Sequence, residues 1–348
     1  MKILVRATNW VGDAIMALPA LRAVRARFLD ATIAIVARPY VADIYRGQKI
    51  CDELISYDPK GTKAGLSGRQ RLDQDLRAQK FDVALLLQNA FDAAWLAWRA
   101  GIPERIGYAR DGRNLLLTKK IAVPKPGQIP PHEQFYYLEL LRRAGWIDSL
   151  PNESFVRLEV TQEQRLRAEQ TLAASGARQK VPRIAIGAGA SYGSAKCWPP
   201  DRFADFVNHF RGHTDAEVIL FGTPPEHTVS DAIAAGIKGP SISLVGKTAI
   251  ADLPALLARC HLFVGNDSGA MHVAAAVGLP VVAIFGPTDP HGTAPITPRC
   301  TVVREKPYCS PCFLRRCPID HRCMTSITPE SVEAAARASL RATEVASG

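Results

Sequence analysis

The chain has 348 residues, of which 47% are hydrophobic and 22% are charged, a composition that excludes long disordered regions. This length exceeds one ordinary hydrophobic core and predicts two domains of about 150 residues each. No apolar run is long enough to span a membrane and the amino terminus has no signal-peptide pattern, so we expect a cytoplasmic protein. The formal net charge is +10, and residues 1–150 hold 23 Lys+Arg against 15 Asp+Glu, which predicts an anionic partner for the first half.

The first half alternates between short apolar runs and amphipathic stretches, as strands and helices of a parallel α/β sheet do. Asp13 lies at the start of a helix, where the positive end of the helix dipole stabilises a carboxylate and where the carboxylate can cap free amides. Gln88 and Asn89 follow a buried strand, where an open α/β sheet places ligand contacts. The predicted elements are strands at 2–6, 31–37 and 81–87, helices at 13–28, 92–100 and 132–145, and a surface connection with a polar helix at 58–80.

The segment 105–120 concentrates cations around glycines and one tyrosine. A solvated basic face is the usual explanation of such a run. Guanidinium groups also bind phosphate through two hydrogen bonds, so Arg105, Arg110 and Arg113 are candidates for binding an anionic substrate. Both interpretations stay open from the residues alone.

The pattern loosens between residues 146 and 182, where we place the connection between the two domains. We expect a first domain at 1–155, a second at 156–328, and a terminal helix at 329–348 that packs across the junction. A strand at 183–187 leads into a loop of small residues that ends at Lys196, a combination of amides and cation suited to phosphate. A strand at 217–222 precedes Glu226, a carboxylate placed to accept bonds from ribose hydroxyls.

Residues 262–285 read as a strand at 262–264, a tight turn, a short helix at 270–277 and a strand at 281–285. The turn Gly265–Gly269 opens a helix whose first amides have no partner within the helix, and such an end attracts phosphate. Asp267 or Ser268 can cap this helix, and His272 falls in its first turn. An ordinary capped helix with a surface histidine is the alternative, since such turns are common after strands.

Two further patterns concern metals and nucleotides. Cys309, Cys312, Cys317 and Cys323 lie close together in sequence, with a Cys-x-x-Cys pair of zinc-ligand spacing, although the second pair is spaced irregularly. They predict either a structural zinc site or partly buried free thiols that pack a loop. The run Gly246-Lys-Thr248 lacks the upstream glycine of a P-loop, so an ATPase is excluded.

The long string Gly-Asn-Asp-Ser-Gly-Ala-Met-His at 265–272, continued by Ala-Ala-Ala-Val-Gly-Leu-Pro at 274–280 and Phe-Gly-Pro-Thr-Asp-Pro at 285–290, resembles the nucleotide-sugar site of the ADP-heptose:lipopolysaccharide heptosyltransferase family. The stretch 8–21, which contains Asp13, is similar to the amino-terminal motif of the type II enzymes of that family. The resemblance covers nearly the whole chain. It implies an α/β protein of GT-B fold, with two Rossmann-like domains facing each other across a cleft.

The resemblance further implies an inverting transfer of L-glycero-D-manno-heptose from ADP-heptose to the first heptose of the lipopolysaccharide inner core. In this interpretation Asp13 is the catalytic base and Arg105, Arg110 and Arg113 bind the anionic core acceptor. The donor-binding residues are then Lys196, Glu226, Asn266, Asp267, Ser268, Gly269 and His272.

No cofactor is expected for catalysis, and no Asp-x-Asp metal motif was found in the cleft motifs. We expect the protein to attach peripherally to the inner face of the cytoplasmic membrane and to bind no nucleic acid. A different GT-B transferase, a nucleotide-sugar epimerase and a non-enzymatic basic docking protein are the alternatives; an epimerase would need no glycolipid acceptor.

Overall fold

Two parallel six-stranded sheets, each covered by helices, form the frame of the protein. The structure is a computed structural model that describes residues 1–58, 66–152 and 155–347. The chain divides into two units, Met1–Ser154 and Phe155–Gly348, and each contains one sheet. This is the α/β architecture of the GT-B class, with one Rossmann-like unit following another along the chain.

The first unit has the strand order β3-β2-β1-β4-β5-β6. Its strands are β1 (Lys2–Arg6), β2 (Thr32–Ala37), β3 (Glu53–Ser56), β4 (Val83–Leu86), β5 (Glu104–Tyr108) and β6 (Lys119–Ile121). Its helices are α1 (Val11–Met16), α2 (Leu18–Arg27), α3 (Pro39–Tyr45), α4 (Leu66–Gln79), α5 (Phe91–Arg99) and α6 (Glu133–Arg143). The central strand β1 pairs in parallel with β2 on one side and with β4 on the other. The strand order of the sheet reverses at this point, and the carboxyl end of β1 therefore lies where such sheets place ligand sites.

The second unit repeats this order as β12-β11-β10-β7-β8-β9. Its strands are β7 (Arg183–Gly187), β8 (Glu217–Phe221), β9 (Ser241–Ser243), β10 (Leu262–Asn266), β11 (Val281–Phe285) and β12 (Cys300–Arg304). Its helices are α7 (Gln162–Ala174), α8 (Pro200–Arg211), α9 (His227–Gly236), α10 (Leu253–Leu257), α11 (Gly269–Ala276), α12 (Pro290–Thr293), α13 (Arg322–Thr325) and α14 (Pro329–Ser347). Here the strand order reverses between the neighbours β7 and β10, so the loops that follow these two strands lie together.

The strands at the centre of both sheets are buried on both faces, which explains their continuous apolar sequences. In the second unit the core between sheet and helices is built around Trp198, which is completely buried and donates its indole N–H to the Ile327 carbonyl over 3.0 Å. Val332 and Ala336 of α14 join this core, so the terminal helix packs on the sheet of its own unit. None of the helices in the described part of the chain is long and apolar enough to cross a membrane.

One helix that the sequence predicts in the first unit is divided in the structure. The helix predicted at 13–28 is two helices, α1 and α2, because Pro19 lacks the amide that would bond to the Ile15 carbonyl. Of the connection and polar helix predicted at 58–80, α4 is present, and residues 59–65 lie outside the described residues.

Candidate active site

The turn between β10 and α11 holds a buried ion pair. Asp267 Oδ2 accepts a hydrogen bond from Lys196 Nζ over 2.5 Å and another from the Thr288 hydroxyl over 2.8 Å. The Lys196 side chain is 12% exposed and the Asp267 side chain 6%, so both charges are largely removed from water. The loops after β7, β10 and β11 therefore meet at one point, and an ammonium group stands there at the start of a helix.

The amino end of α11 has no side-chain cap. Ser268 is the N-cap residue but makes no capping hydrogen bond, and Asp267 is engaged with Lys196 and Thr288. The prediction that one of these two side chains caps the helix was therefore wrong. The Ser268 hydroxyl is buried and has no hydrogen-bond partner among the described residues. Gly269 is the first residue of the helix, and the open amides favour an anionic group.

Asn266 and His272 flank this turn inside the second unit. Asn266 is fully buried; its Oδ1 accepts from the Trp198 amide over 3.0 Å and its Nδ2 donates to the Ala188 carbonyl over 2.5 Å. Its side chain thus ties the end of β10 to the loop that carries Lys196. His272, the fourth residue of α11, is buried with 5% exposure, so it is not the surface histidine of the alternative interpretation.

The loop that carries Lys196 is held from the other side by residues that the sequence did not single out. The Lys196 ammonium lies 4.8 Å from the centre of the Tyr192 ring, and the Arg315 guanidinium lies 5.3 Å from it. The Tyr192 hydroxyl donates to the Phe313 carbonyl over 2.7 Å. The carbonyl of Arg315 approaches so close that a Cβ at Gly193 would stand 2.2 Å from it, so only glycine fits.

Glu226 and Gly189 form a second close approach in the same unit. Glu226 Oε2 accepts from the Thr223 amide and hydroxyl, and a Cβ at Gly189 would stand 1.6 Å from its carboxylate. The carboxylate therefore lies directly on the backbone after β7. A small apolar recess adjoins it, with room for about one water molecule, and its other lining residues are Ile186, Ala188, Leu220, Phe221, Val229, Ser230, Ile233 and Val245. A carboxylate at the strand ends is suited to the ribose hydroxyls of a nucleotide.

In the first unit, Asp13 lies half-buried in the first turn of α1. Burial raises the pKa of the Tyr45 and Tyr137 phenols, and the nearby Asp13 carboxylate adds to both shifts. The Tyr45 hydroxyl donates to the Ala14 carbonyl over 3.1 Å, which anchors the start of α1 to α3. The buried Tyr45 therefore holds the helix on which Asp13 stands.

The three arginines predicted to bind an anionic acceptor have different environments. Arg113 is completely buried and donates to the carbonyls of Tyr108 and Gln88 and to Asn89 Oδ1, so its guanidinium is used inside the protein. Arg105 is half-buried and donates to the backbone carbonyls of residues 102, 103 and 116. Arg110 is exposed, with weaker contacts to Asp111 and Tyr136. Arg110 is the one of the three that offers its charge to solvent.

The four cysteines predicted as zinc ligands are free thiols. Burial is the main reason why the pKa of Cys323 rises to about 11, and neighbouring Cys312, Cys309 and Cys317 add to the shift. The sulfur atoms thus lie near one another, but no three His, Cys, Asp or Glu side chains of the described residues are placed to hold one metal ion. The structural zinc site is therefore not supported.

The segment 309–323 instead supports the loop of Lys196. The Arg315 carbonyl accepts from the Ala195 amide over 3.1 Å, and a ring nitrogen of His321 lies 2.7 Å from the Ala195 carbonyl. Backbone amides of Cys312 and Phe313 donate to the Pro287 carbonyl, next to Thr288. The cysteine-rich segment thus holds both loops that contact Asp267.

A phosphate-attracting helix end with a buried lysine, in the second of two Rossmann-like units, is the arrangement of a nucleotide-sugar enzyme of GT-B fold. The family model of glycosyltransferase family 9 (heptosyltransferase) matches residues 69–322, and the chain belongs to this family.

The relatives agree with this assignment. The chain is 30% identical over 312 residues to lipopolysaccharide heptosyltransferase 2 of Salmonella typhimurium, a match that covers 87% of this chain and 88% of that protein. It is similar to the solved structure of E. coli ADP-heptose lps heptosyltransferase II, with a TM-score of 0.82, 28% identity and 99% and 100% of the two chains covered. A glycosyl transferase family 9 structure from Veillonella parvula has a TM-score of 0.84 at 24% identity, covers 98% of this chain and 97% of its own, and shows the fold alone.

Proposed function

We propose that this glycosyltransferase moves L-glycero-D-manno-heptose from ADP-heptose to the first heptose of the lipopolysaccharide inner core, with inversion at the anomeric carbon. The observation that carries the proposal is the site around Asp267, where Lys196, the Ser268 hydroxyl and the open amides of α11 stand together. This set suits a diphosphate leaving group, because it offers one positive charge and several donors without requiring a metal ion.

The donor's other parts find partners in the same unit. Glu226 would accept hydrogen bonds from the ribose hydroxyls. Asn266 acts indirectly, since its side chain is used to hold the loop of Lys196. Gly269 and His272 belong to the first turns of α11, and we keep both as donor-site residues.

In the reaction, Asp13 would take the proton from the attacking hydroxyl of the acceptor heptose as the oxygen bonds to the anomeric carbon. The bond from that carbon to the diphosphate breaks, and ADP leaves with its negative charge stabilised by Lys196 and the helix amides. Arg110, which is exposed, is proposed to bind the anionic acceptor directly. Arg113 is proposed to act through Asn89, and Arg105 through the backbone of its loop.

Membrane attachment is proposed from an aromatic ridge on α5. Phe91, Trp95 and Trp98 share one face, with ring centres 6.0 and 4.9 Å apart, and Phe91 and Trp98 are 48% and 46% exposed. Tryptophan prefers the membrane–water interface, and the excess of cations in residues 1–150 favours anionic lipid. Sedimentation with vesicles containing phosphatidylglycerol should carry the protein down, and Trp98→Ser should reduce the bound fraction. Equal binding by both proteins would remove the ridge from the proposal.

The decisive experiment pairs ADP-heptose with defined core acceptors and detects products by mass spectrometry. We expect a mass increase of one heptose on an acceptor that carries the first heptose, and none on an acceptor without it. Calorimetry with ADP, UDP and NAD should show that ADP binds tightest. Formation of a free sugar without acceptor would instead indicate an epimerase, and absence of any transfer would refute the proposal.

A further inference from the structure

Three arginines gather at the carboxyl ends of the strands in the first unit, and we call them the arginine cluster. Arg6 is the last residue of β1, Arg38 follows β2, and Arg69 lies on α4. Burial lowers the pKa of the Arg6 guanidinium to about 10, while the charge of Asp92 raises it and the charges of Arg38 and Arg69 lower it further. Arg6 pairs with Val36 of the neighbouring strand, two residues before Arg38, and both Arg38 and Arg69 lie close enough to Arg6 to repel its charge.

Each guanidinium of the arginine cluster has a partner for only part of its donors. Arg6 Nη1 donates to the Ala7 and Val36 carbonyls over 3.0 and 3.2 Å. Arg38 Nη1 lies 3.3 Å from Asp58 Oδ1, and Arg69 Nη1 contacts Asp92.

Four nitrogen atoms of the cluster are buried and have no hydrogen-bond acceptor among the described residues. They are Arg6 Nε, Arg38 Nε, and both Nε and Nη2 of Arg69. A buried donor left without an acceptor is unfavourable, and more so when it carries charge. Arg6 as a whole is only 2% exposed, so bulk water does not satisfy it.

The charge balance points to the missing acceptor. Three guanidinium groups are paired with two carboxylates, those of Asp58 and Asp92. The carboxylate of Asp73 also lies near Arg69 but is paired with Arg99, so one positive charge stays in excess. A phosphomonoester brings close to two negative charges and three strong acceptor oxygens, which guanidinium groups bind with matching geometry. A carboxylate would supply fewer oxygens for the four free donors.

The arginine cluster also contacts the loop that leads to Asp13. Arg6 Nη2 donates to Asn9 Oδ1 over 3.3 Å, and the Tyr40 hydroxyl donates to the Asn9 carbonyl over 2.7 Å. Asn9 lies two residues before α1 begins at Val11. An anion bound to Arg6 would therefore order the loop that precedes the proposed catalytic base.

We propose that Arg6, Arg38 and Arg69 form a binding site for a phosphomonoester group, and that this group belongs to the acceptor. That the group belongs to the acceptor rests on the proposed transfer to an anionic core glycolipid. That the cluster binds a phosphomonoester stands on the first unit alone.

The test uses the full chain, the Arg38→Gln and Arg69→Gln variants, and Arg46→Gln as a matched control. Arg46 is an exposed arginine of the same unit that pairs with one carboxylate, Asp43. Inorganic phosphate is titrated against sodium chloride of equal ionic strength, and the melting temperature is recorded. Wild type and Arg46→Gln should gain about 2 °C at tenfold excess over the Kd, and the two cluster variants should gain less than half of that. Equal gains in all four proteins would overturn the phosphate site.

The acceptor is tested separately, by comparing a phosphorylated core acceptor with the same acceptor after phosphatase treatment. Both cluster variants should raise KM for the phosphorylated acceptor about tenfold, the loss of one charge-assisted hydrogen bond, and KM for the treated acceptor by less than twofold. Equal KM changes for both acceptors would overturn the acceptor assignment. If no protein transfers heptose, the proposed function fails, and the phosphate titration still decides whether the arginine cluster is an anion site.

Discussion

The ion pair between Lys196 and Asp267 should stabilise the folded protein but compete with the diphosphate of ADP for the Lys196 ammonium. Lys196→Ala leaves the Asp267 carboxylate, only 6% exposed, with the Thr288 hydroxyl as its remaining described donor. Removing one partner of a buried pair typically costs about 3–5 kcal/mol. Because the Thr288 hydrogen bond persists, we expect the lower end, a loss of about 3 kcal/mol in the free energy of unfolding.

A double-mutant cycle separates the ion pair from other effects. Asp267→Asn in the Lys196→Ala background removes the stranded charge while its amide oxygen still accepts from Thr288. The double variant should therefore be more stable than Lys196→Ala, with a coupling energy of about 2 kcal/mol. The exposed pair Arg178–Asp215 is the control, and its coupling should stay below about 1 kcal/mol.

The same variants are measured for ADP binding by calorimetry. Lys196→Ala should weaken ADP by roughly 1.5–3 kcal/mol, because a charge-assisted contact with the diphosphate is lost. Asp267→Asn should bind ADP at least as tightly as wild type, since it frees the ammonium and removes a nearby negative charge. The reasoning is refuted if the two substitutions are additive in stability within about 0.5 kcal/mol, or if ADP binding by Lys196→Ala stays within twofold of wild type.

Three further predictions concern catalysis and pH. Asp13→Asn should keep the fold and ADP binding but lower turnover by about two to four orders of magnitude, the contribution of a positioned base; near-normal turnover would reduce Asp13 to a residue that stabilises a helix end. Heptose transfer should survive EDTA, because Lys196 and the helix amides supply the positive potential at the diphosphate; strict dependence on added magnesium would contradict this. The Glu139 side chain is 1% exposed, and a hydrogen bond from Arg142 is the largest effect that lowers its pKa. Burial raises this pKa, and a hydrogen bond from Arg143 lowers it further. This stabilisation is present above the unfolded-state pKa of about 4.3 and is lost as pH falls through the lower folded pKa. Glu139→Gln should thus lower the melting temperature at pH 7, with the gap to wild type closing below about pH 4; a gap that is constant from pH 7 to pH 3 would show that the ion pairs are not its cause.

The family and the main strands could be read from the sequence, because both depend on local patterns. The strands at Lys2–Arg6, Arg183–Gly187 and Val281–Phe285 were predicted with the observed bounds, since buried parallel strands are continuous apolar runs between turns. The motif around Asp267 is contiguous, so its strand, turn and helix needed no information about distant residues. Short edge strands such as β9 and β12 were missed, because half-exposed strands of three to five residues carry little apolar pattern.

What each charged side chain does could be decided only by the tertiary structure. Arg113 and Arg110 lie in one basic segment, yet Arg110 is exposed, whereas Arg113 is completely buried because it donates to carbonyls beside the ends of two strands. Asn266 is buried and its side chain holds the loop after β7 through a hydrogen bond to the Ala188 carbonyl. Asp267 pairs with Lys196, which lies 71 residues away in the chain. The arginine cluster consists of residues 6, 38 and 69, which lie too far apart in the chain for a local sequence pattern to link them. Parallel strands place the residues that follow them at one edge of the sheet, so the contacts that set charge, burial and chemistry are formed by the fold between positions far apart in the chain.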